Sequence, residues 1–126
     1  MKTVHDMVDA AKAEIHEVSV GEAEAAISGA DYLIDVREDD EFHDGHIAGA
    51  INIPRGLLEF KMSNDEGLCQ RDRQILLYCK TSGRAALSAK ALKELGYSQV
   101  SSIAGGFDAW VAAGKAVVTP KLPDFD

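Results

Sequence analysis

The run Gln74-Ile75-Leu76-Leu77-Tyr78, followed by Cys79-Lys80-Thr81-Ser82-Gly83-Arg84 and then by a segment with helical spacing, restricts this chain more than any other stretch. Unbroken apolar residues suit a strand buried on both faces, as in the centre of a parallel sheet. From residue 84 to 95 the residues Ala85, Ser88, Ala89, Leu92 and Leu95 share one helical face, and Leu95-Gly96 is a helix stop. Strand, short polar loop and helix in succession put Cys79 at the C-terminal end of a strand, where open α/β sheets carry their sites.

A thiol delivered into such a loop lies where backbone N–H groups and a helix N-terminus converge. A thiolate there, or a persulfide anion made from it, is stabilised by that field and by Lys80 and Arg84. The same field suits an anionic substrate, with the N–H groups of residues 80 to 84 as donors. Free cysteine is often mere core packing. Lys80, Thr81, Ser82, Gly83 and Arg84 are poor core material, however, and Gly83 permits the backbone angles of an anion-holding nest.

The rest of the chain alternates in the same way. Val4, Met7, Val8, Ala11 and Ile15 predict a helix over 3–16, capped by Thr3 with Asp6 three residues on and with Asp6, Asp9, Lys12 and Glu14 outside its apolar face. Its simplest use is to pack on the domain's flank. Residues 17–20 read as an edge strand, 21–27 as a helix ended by Gly29, and Tyr32-Leu33-Ile34-Asp35-Val36 as a central strand. Asp35 is costly if buried alone, so it needs backbone N–H groups or a cation such as Arg37 or Arg84, and bracing is the expected role of Asp35 and Arg37. An acidic turn over 38–44 carries Phe42 inward. His46 reads as a hydrogen-bonded strut rather than a general base, because a preformed thiolate needs no base. A brief strand over 51–54 precedes a helix from Arg55 to Met62, with Arg55 able to face the site. The polar stretch 63–73 is a surface connection in which Cys69 is a spectator thiol. Residues 100–103 supply another strand, Gly105-Gly106 a tight turn, and 107–113 a helix with Trp110 in the core.

These elements predict an α/β fold, a central mostly parallel sheet with helices on both faces. The 126 residues fit a single domain, with 1–16 a flanking helix and 115–126 an extended tail, and 46% hydrophobic residues suffice for one core. A formal net charge of −8 disfavours nucleic acid and anionic membrane surfaces as partners. Two cysteines make no disulfide framework, and no apolar run has the length of a signal peptide or a membrane span, so a reducing, cytoplasmic setting is expected. The four histidines lack the companions of a metal site, and neither metal nor cofactor is expected.

Several motifs go further together. The loop Cys79–Arg84, the triplet Asp35-Val36-Arg37, the stretch Gly45-His46-Ile47-Ala48-Gly49-Ala50-Ile51-Asn52-Ile53-Pro54 and the stretch Gly105-Gly106-Phe107-Asp108-Ala109-Trp110 resemble, in kind and order, the signatures of single-domain rhodanese-like sulfurtransferases. One departure is Ser82, where many members carry glycine. The resemblance implies a rhodanese-like fold and thiosulfate sulfurtransferase activity. Cys79 would take sulfane sulfur from a small anionic donor such as thiosulfate and pass it, as a persulfide, to a thiol or dithiol acceptor, including a protein. Lys80, Thr81, Ser82, Gly83 and Arg84 would bind substrate, and Asp35, Arg37 and His46 would support the loop. Lys80 would favour a dianionic donor. Two rival readings stand beside this one: a noncatalytic persulfide carrier or sensing module, and a phosphatase or arsenate reductase, whose loops are wider than the four residues between Cys79 and Arg84.

Overall fold

The computed structural model describes residues 1–120 and leaves 121–126, the end of the expected extended tail, outside the described residues. Helix α1 (Val4–Lys12) opens on a capping box in which Thr3 and Asp6 satisfy each other's backbone N–H groups. Strand β1 (His16–Val18) and helix α2 (Val20–Gly29) follow, then β2 (Tyr32–Asp35), α3 (Asp39–Asp44) and β3 (Ile51–Asn52). A 3-10 turn (Arg55–Leu57) leads into α4 (Leu58–Asn64), and the chain continues through β4 (Gln74–Tyr78), α5 (Gly83–Glu94), β5 (Gln99–Ile103) and α6 (Gly106–Ala112).

The five strands lie in the order β1-β5-β4-β2-β3, and every neighbouring pair is parallel. The apolar run of β4 is therefore central, as its composition requires. Alternation along it divides the core. Ile75, Leu77 and Cys79 join Ile34, Val36, Leu58, Met62, Ala85, Ala89 and Leu92 under α4 and α5. Leu76 and Tyr78 turn to the other face, with Leu33, Ala23, Ile103 and Trp110 under α2 and α6. The indole N–H of Trp110 donates to Ala116 O at 2.9 Å.

Several expected boundaries shift. The segment from Arg55 begins as a 3-10 turn because Pro54 sets an extended entry, and Arg55 pairs with Glu59 at 2.7 Å instead of facing the site. Only the C-terminal half of α1's apolar face is covered: Ala11 is buried against α5, whereas Val4 and Met7 are 70% and 52% exposed. None of the described helices is long and apolar enough to cross a membrane.

Candidate active site

Strand β4 delivers Cys79 past its last ladder pair, and α5 starts four residues later, so the sulfur lies between strand end and helix. Cys79 is 1% exposed, and its Sγ accepts the Ala85 N–H at 3.3 Å, from the first turn of α5. The loop is oriented from behind. The N–H groups of Phe107 and Asp108, at the start of α6, donate to Cys79 O at 2.8 Å and Lys80 O at 2.9 Å. Because a trans peptide points its C=O and N–H to opposite sides, anchoring those two carbonyls on α6 turns the N–H groups of Lys80 and Thr81 away from α6. Gly106 makes this approach possible. It has φ +58°, and a Cβ there would fall within 3.0 Å of the carbonyl oxygens of Cys79, Lys80 and Thr81.

In front of the loop is a cavity of about 540 Å³. Its floor is Cys79 with Thr81, Ser82, Gly83 and Arg84, and its other wall is α1, through Val4, His5, Val8, Asp9 and Lys12, with Leu87 completing the ring. Gly83 has no positive φ; it opens α5 facing Val8 with room for a side-chain Cβ, so its backbone is not that of a nest.

Arg84 donates from both guanidinium ends to Glu41 of α3, at 2.6 and 3.0 Å. The Arg84 hydrogen bonds hold the Glu41 carboxyl well below its ordinary value of 4.5, at about 2, and the same bonds raise Arg84 above the usual guanidinium range. Glu41 also accepts the Glu38 N–H, so one carboxylate caps α3 and fixes the arginine. Lys80 departs from expectation. Its Nζ turns out of the cavity to Asp108 Oδ2 at 2.9 Å in an exposed pair, because the α6 anchor carries Asp108 alongside it.

Asp35 and Arg37 lie on the sheet face opposite to Cys79. They form a buried bidentate pair, Nη2 to Oδ2 at 2.8 Å and Nε to both oxygens at 3.1 Å, and Arg37 Nη2 also donates to Gly45 O. The guanidinium lies 4.2 Å from the Phe107 ring centroid. Burial pulls Arg37 down, but the Asp35 hydrogen bond and charge outweigh it and the net shift is upward. The Tyr78 hydroxyl accepts the Ile47 N–H at 3.0 Å, and burial raises that phenol strongly. His46 also stands away from the cavity. Its ring stacks on Phe42 at 3.7 Å, its Nδ1 donates to Phe42 O, and its backbone pairs both ways with Val118.

The residues that sequence reasoning missed are Glu41, Lys12 and the Ala85 amide. Lys12 Nζ donates to Ser82 Oγ at 2.7 Å, bringing a cation from α1 onto the loop. Sequence reasoning sets Lys12 outside the apolar face of α1, whereas the four-residue spacing Val4–Val8–Lys12 puts it on the stripe that lines the cavity. Glu41 had no comparable local mark within its acidic run.

A buried cysteine that opens a loop at the C-terminal end of a central parallel strand, with a helix starting behind it, places this domain among α/β proteins whose sheet presents a cysteine at the mouth of a strand. The family model of the Rhodanese-like domain matches residues 19–113, and the chain belongs to that family. It is 40% identical over 84 residues to the uncharacterized protein YqhL of Bacillus subtilis, covering 67% of this chain and 64% of that one, so the chain spans a little under two thirds of that relative. It is 30% identical over 89 residues to a sulfurtransferase of Allochromatium vinosum, covering 71% and 79%. A solved structure from Rhodopseudomonas palustris, of a protein of unknown function described as a possible tyrosine phosphatase, superposes with a TM-score of 0.85 at 32% identity, covering 94% and 96%.

Proposed function

We propose that this domain is a thiosulfate-type sulfurtransferase working through a persulfide on Cys79. The observation that carries the reading is the placement of Sγ on the floor of a cavity, against the Ala85 N–H, in a loop whose carbonyls are drawn back to α6. In the first half-reaction the Cys79 thiolate attacks the outer sulfur of the donor. An S–S bond forms to Sγ, the donor's own sulfur–sulfur bond breaks, and for thiosulfate the electron pair leaves with sulfite. The persulfide anion gains the loop's N–H donors and the start of α5. In the second half an acceptor thiolate attacks the outer sulfur and returns the Cys79 thiolate. Asp35, Arg37 and His46 hold the strand ends and loops in place and touch no reacting atom.

A second reading, hydrolysis of phosphate esters, is suggested by the description of the Rhodopseudomonas protein. Against it, Arg84 already commits both guanidinium ends to Glu41, and only four residues lie between Cys79 and Arg84. The test is thiosulfate-to-cyanide transfer by the wild type and Cys79→Ala, with intact mass for an added sulfur of about 32 Da and a phosphate-ester assay beside it. Turnover with an adduct, both lost in Cys79→Ala, is expected. An adduct without turnover makes the domain a carrier. Ester hydrolysis without an adduct overturns the proposal.

A further inference from the structure

Among the described residues each basic side chain around the cavity has a partner, and comparing the partners singles out one. Lys80 is paired with Asp108 outside the cavity. Arg84 is held by Glu41 at both ends. His5, on the far wall, stands 3.3 Å from Asp9. Lys12 alone is bonded to a neutral group, the Ser82 hydroxyl, and among the described residues it pairs with no carboxylate. It is partly buried at the end of α1 and lines the same cavity as Cys79.

We infer that Lys12 is the donor-recognition cation of this site, selecting dianionic sulfur donors over singly charged ones. An ammonium has three N–H donors. One is used on Ser82, which fixes the head over the loop, and the others remain for the oxygens at the remote end of a donor whose outer sulfur meets Sγ. A second negative charge beside an ammonium that no described carboxylate pairs with, in a partly dry cavity, binds more strongly than a single one. Helix α1 lies outside the residues matched by the family, 19–113, so the determinant is carried by an appended element and is not part of the shared domain. The hydrogen bond to Ser82 links the two and also ties α1 to the loop.

The inference rests on the sulfurtransferase reading for its substrate, and the experiment separates the two. Wild type, Lys12→Met and Lys12→Arg are compared with thiosulfate and with the monoanion methanethiosulfonate. Circular dichroism and the unfolding midpoint serve as controls for folding. Lys12→Met is expected to raise KM for thiosulfate about tenfold, the scale of one charge-assisted contact, with the loss lying in KM and not in kcat. The monoanion should lose several-fold less, and Lys12→Arg should restore most of the thiosulfate KM. The same lysine variants made in Cys79→Ser, which cannot turn over, are titrated with thiosulfate by calorimetry. Weaker binding in Lys12→Met is expected there too. Equal losses for both donors, or unchanged binding in a folded Lys12→Met protein, overturn the role of Lys12. Lysine-dependent anion binding in a wild type that forms no persulfide removes the sulfurtransferase reading and leaves Lys12 as an anion site.

Discussion

Two glycines beside Cys79 make opposite demands. Gly106 has φ +58° and would put a Cβ into three loop carbonyls, whereas Gly83 lies in helical backbone where a Cβ would meet Val8 at 3.5 Å, an ordinary contact. Gly106→Ala should cost about 2–4 kcal/mol in urea unfolding through strain and displaced carbonyls, and it should lower the persulfide yield. Gly83→Ala should change stability by about 0.5 kcal/mol or less in the same assay. Glu41 gives a pH-dependent counterpart. Its carboxyl is lowered in the fold to about 2 from 4.5, so the stability it contributes is fully present above pH 4.5 and is lost as pH falls through about 2. The gap in unfolding free energy between the wild type and Glu41→Gln should therefore stay constant above about pH 5 and close towards pH 2; a gap that ignores pH contradicts this account. Cys79, Asp35 and Arg37 could be found in the chain because a carboxylate or thiol interrupting an apolar run is a local anomaly. The Arg84–Glu41 pair joins residues 43 apart in sequence, and nothing near either one announces the other. The pairing of Lys80 with Asp108 was hidden for a similar reason, since the two are 28 residues apart.

Among the elements, β4 and α5 were the easiest to read. An unbroken apolar run has few alternatives to a central strand, and the small residues Ala85, Ser88 and Ala89 mark the face on which α5 meets the sheet, with all three fully buried. Helix α1 was legible as a helix but not as a wall of the cavity. Its capping box and apolar spacing are local, whereas the side of the domain it covers depends on where α5 runs. The exposed Val4 and the short length of α1 make that wall dependent on its cap. Thr3→Ala should cost about 1 kcal/mol, confined to α1, and hydrogen exchange should quicken for amides of 6–12 while β4 stays protected. Uniform loss of protection would mean that α1 is part of the cooperative core.

Across the whole molecule, the two core layers meet different electrostatic conditions. The layer under α4 and α5 holds no ion pair among the described residues, while the layer under α2 and α6 contains the Asp35–Arg37 pair, 0% and 5% exposed at the side chains. Breaking that pair in Asp35→Asn leaves a buried guanidinium with a weaker partner and should cost about 3–5 kcal/mol, read as a fall in the urea midpoint. Lys80→Ala removes an exposed pair and should cost about 1 kcal/mol or less. A result in which the two variants are equally destabilised would assign the integrity of the fold to its surface.

The sheet ends on very short strands. β1 has three residues and β3 two, and Pro54, with no N–H to donate, follows β3 closely. Little unpaired backbone is therefore offered at either margin, and the unbroken apolar run Ile75 to Tyr78 is shielded by two strands on each side. The folded domain should remain free of thioflavin-positive material at concentrations where a free peptide of residues 74–79 assembles. Its colloidal behaviour then depends on keeping β4 inside, and destabilised variants such as Asp35→Asn should be the ones that aggregate.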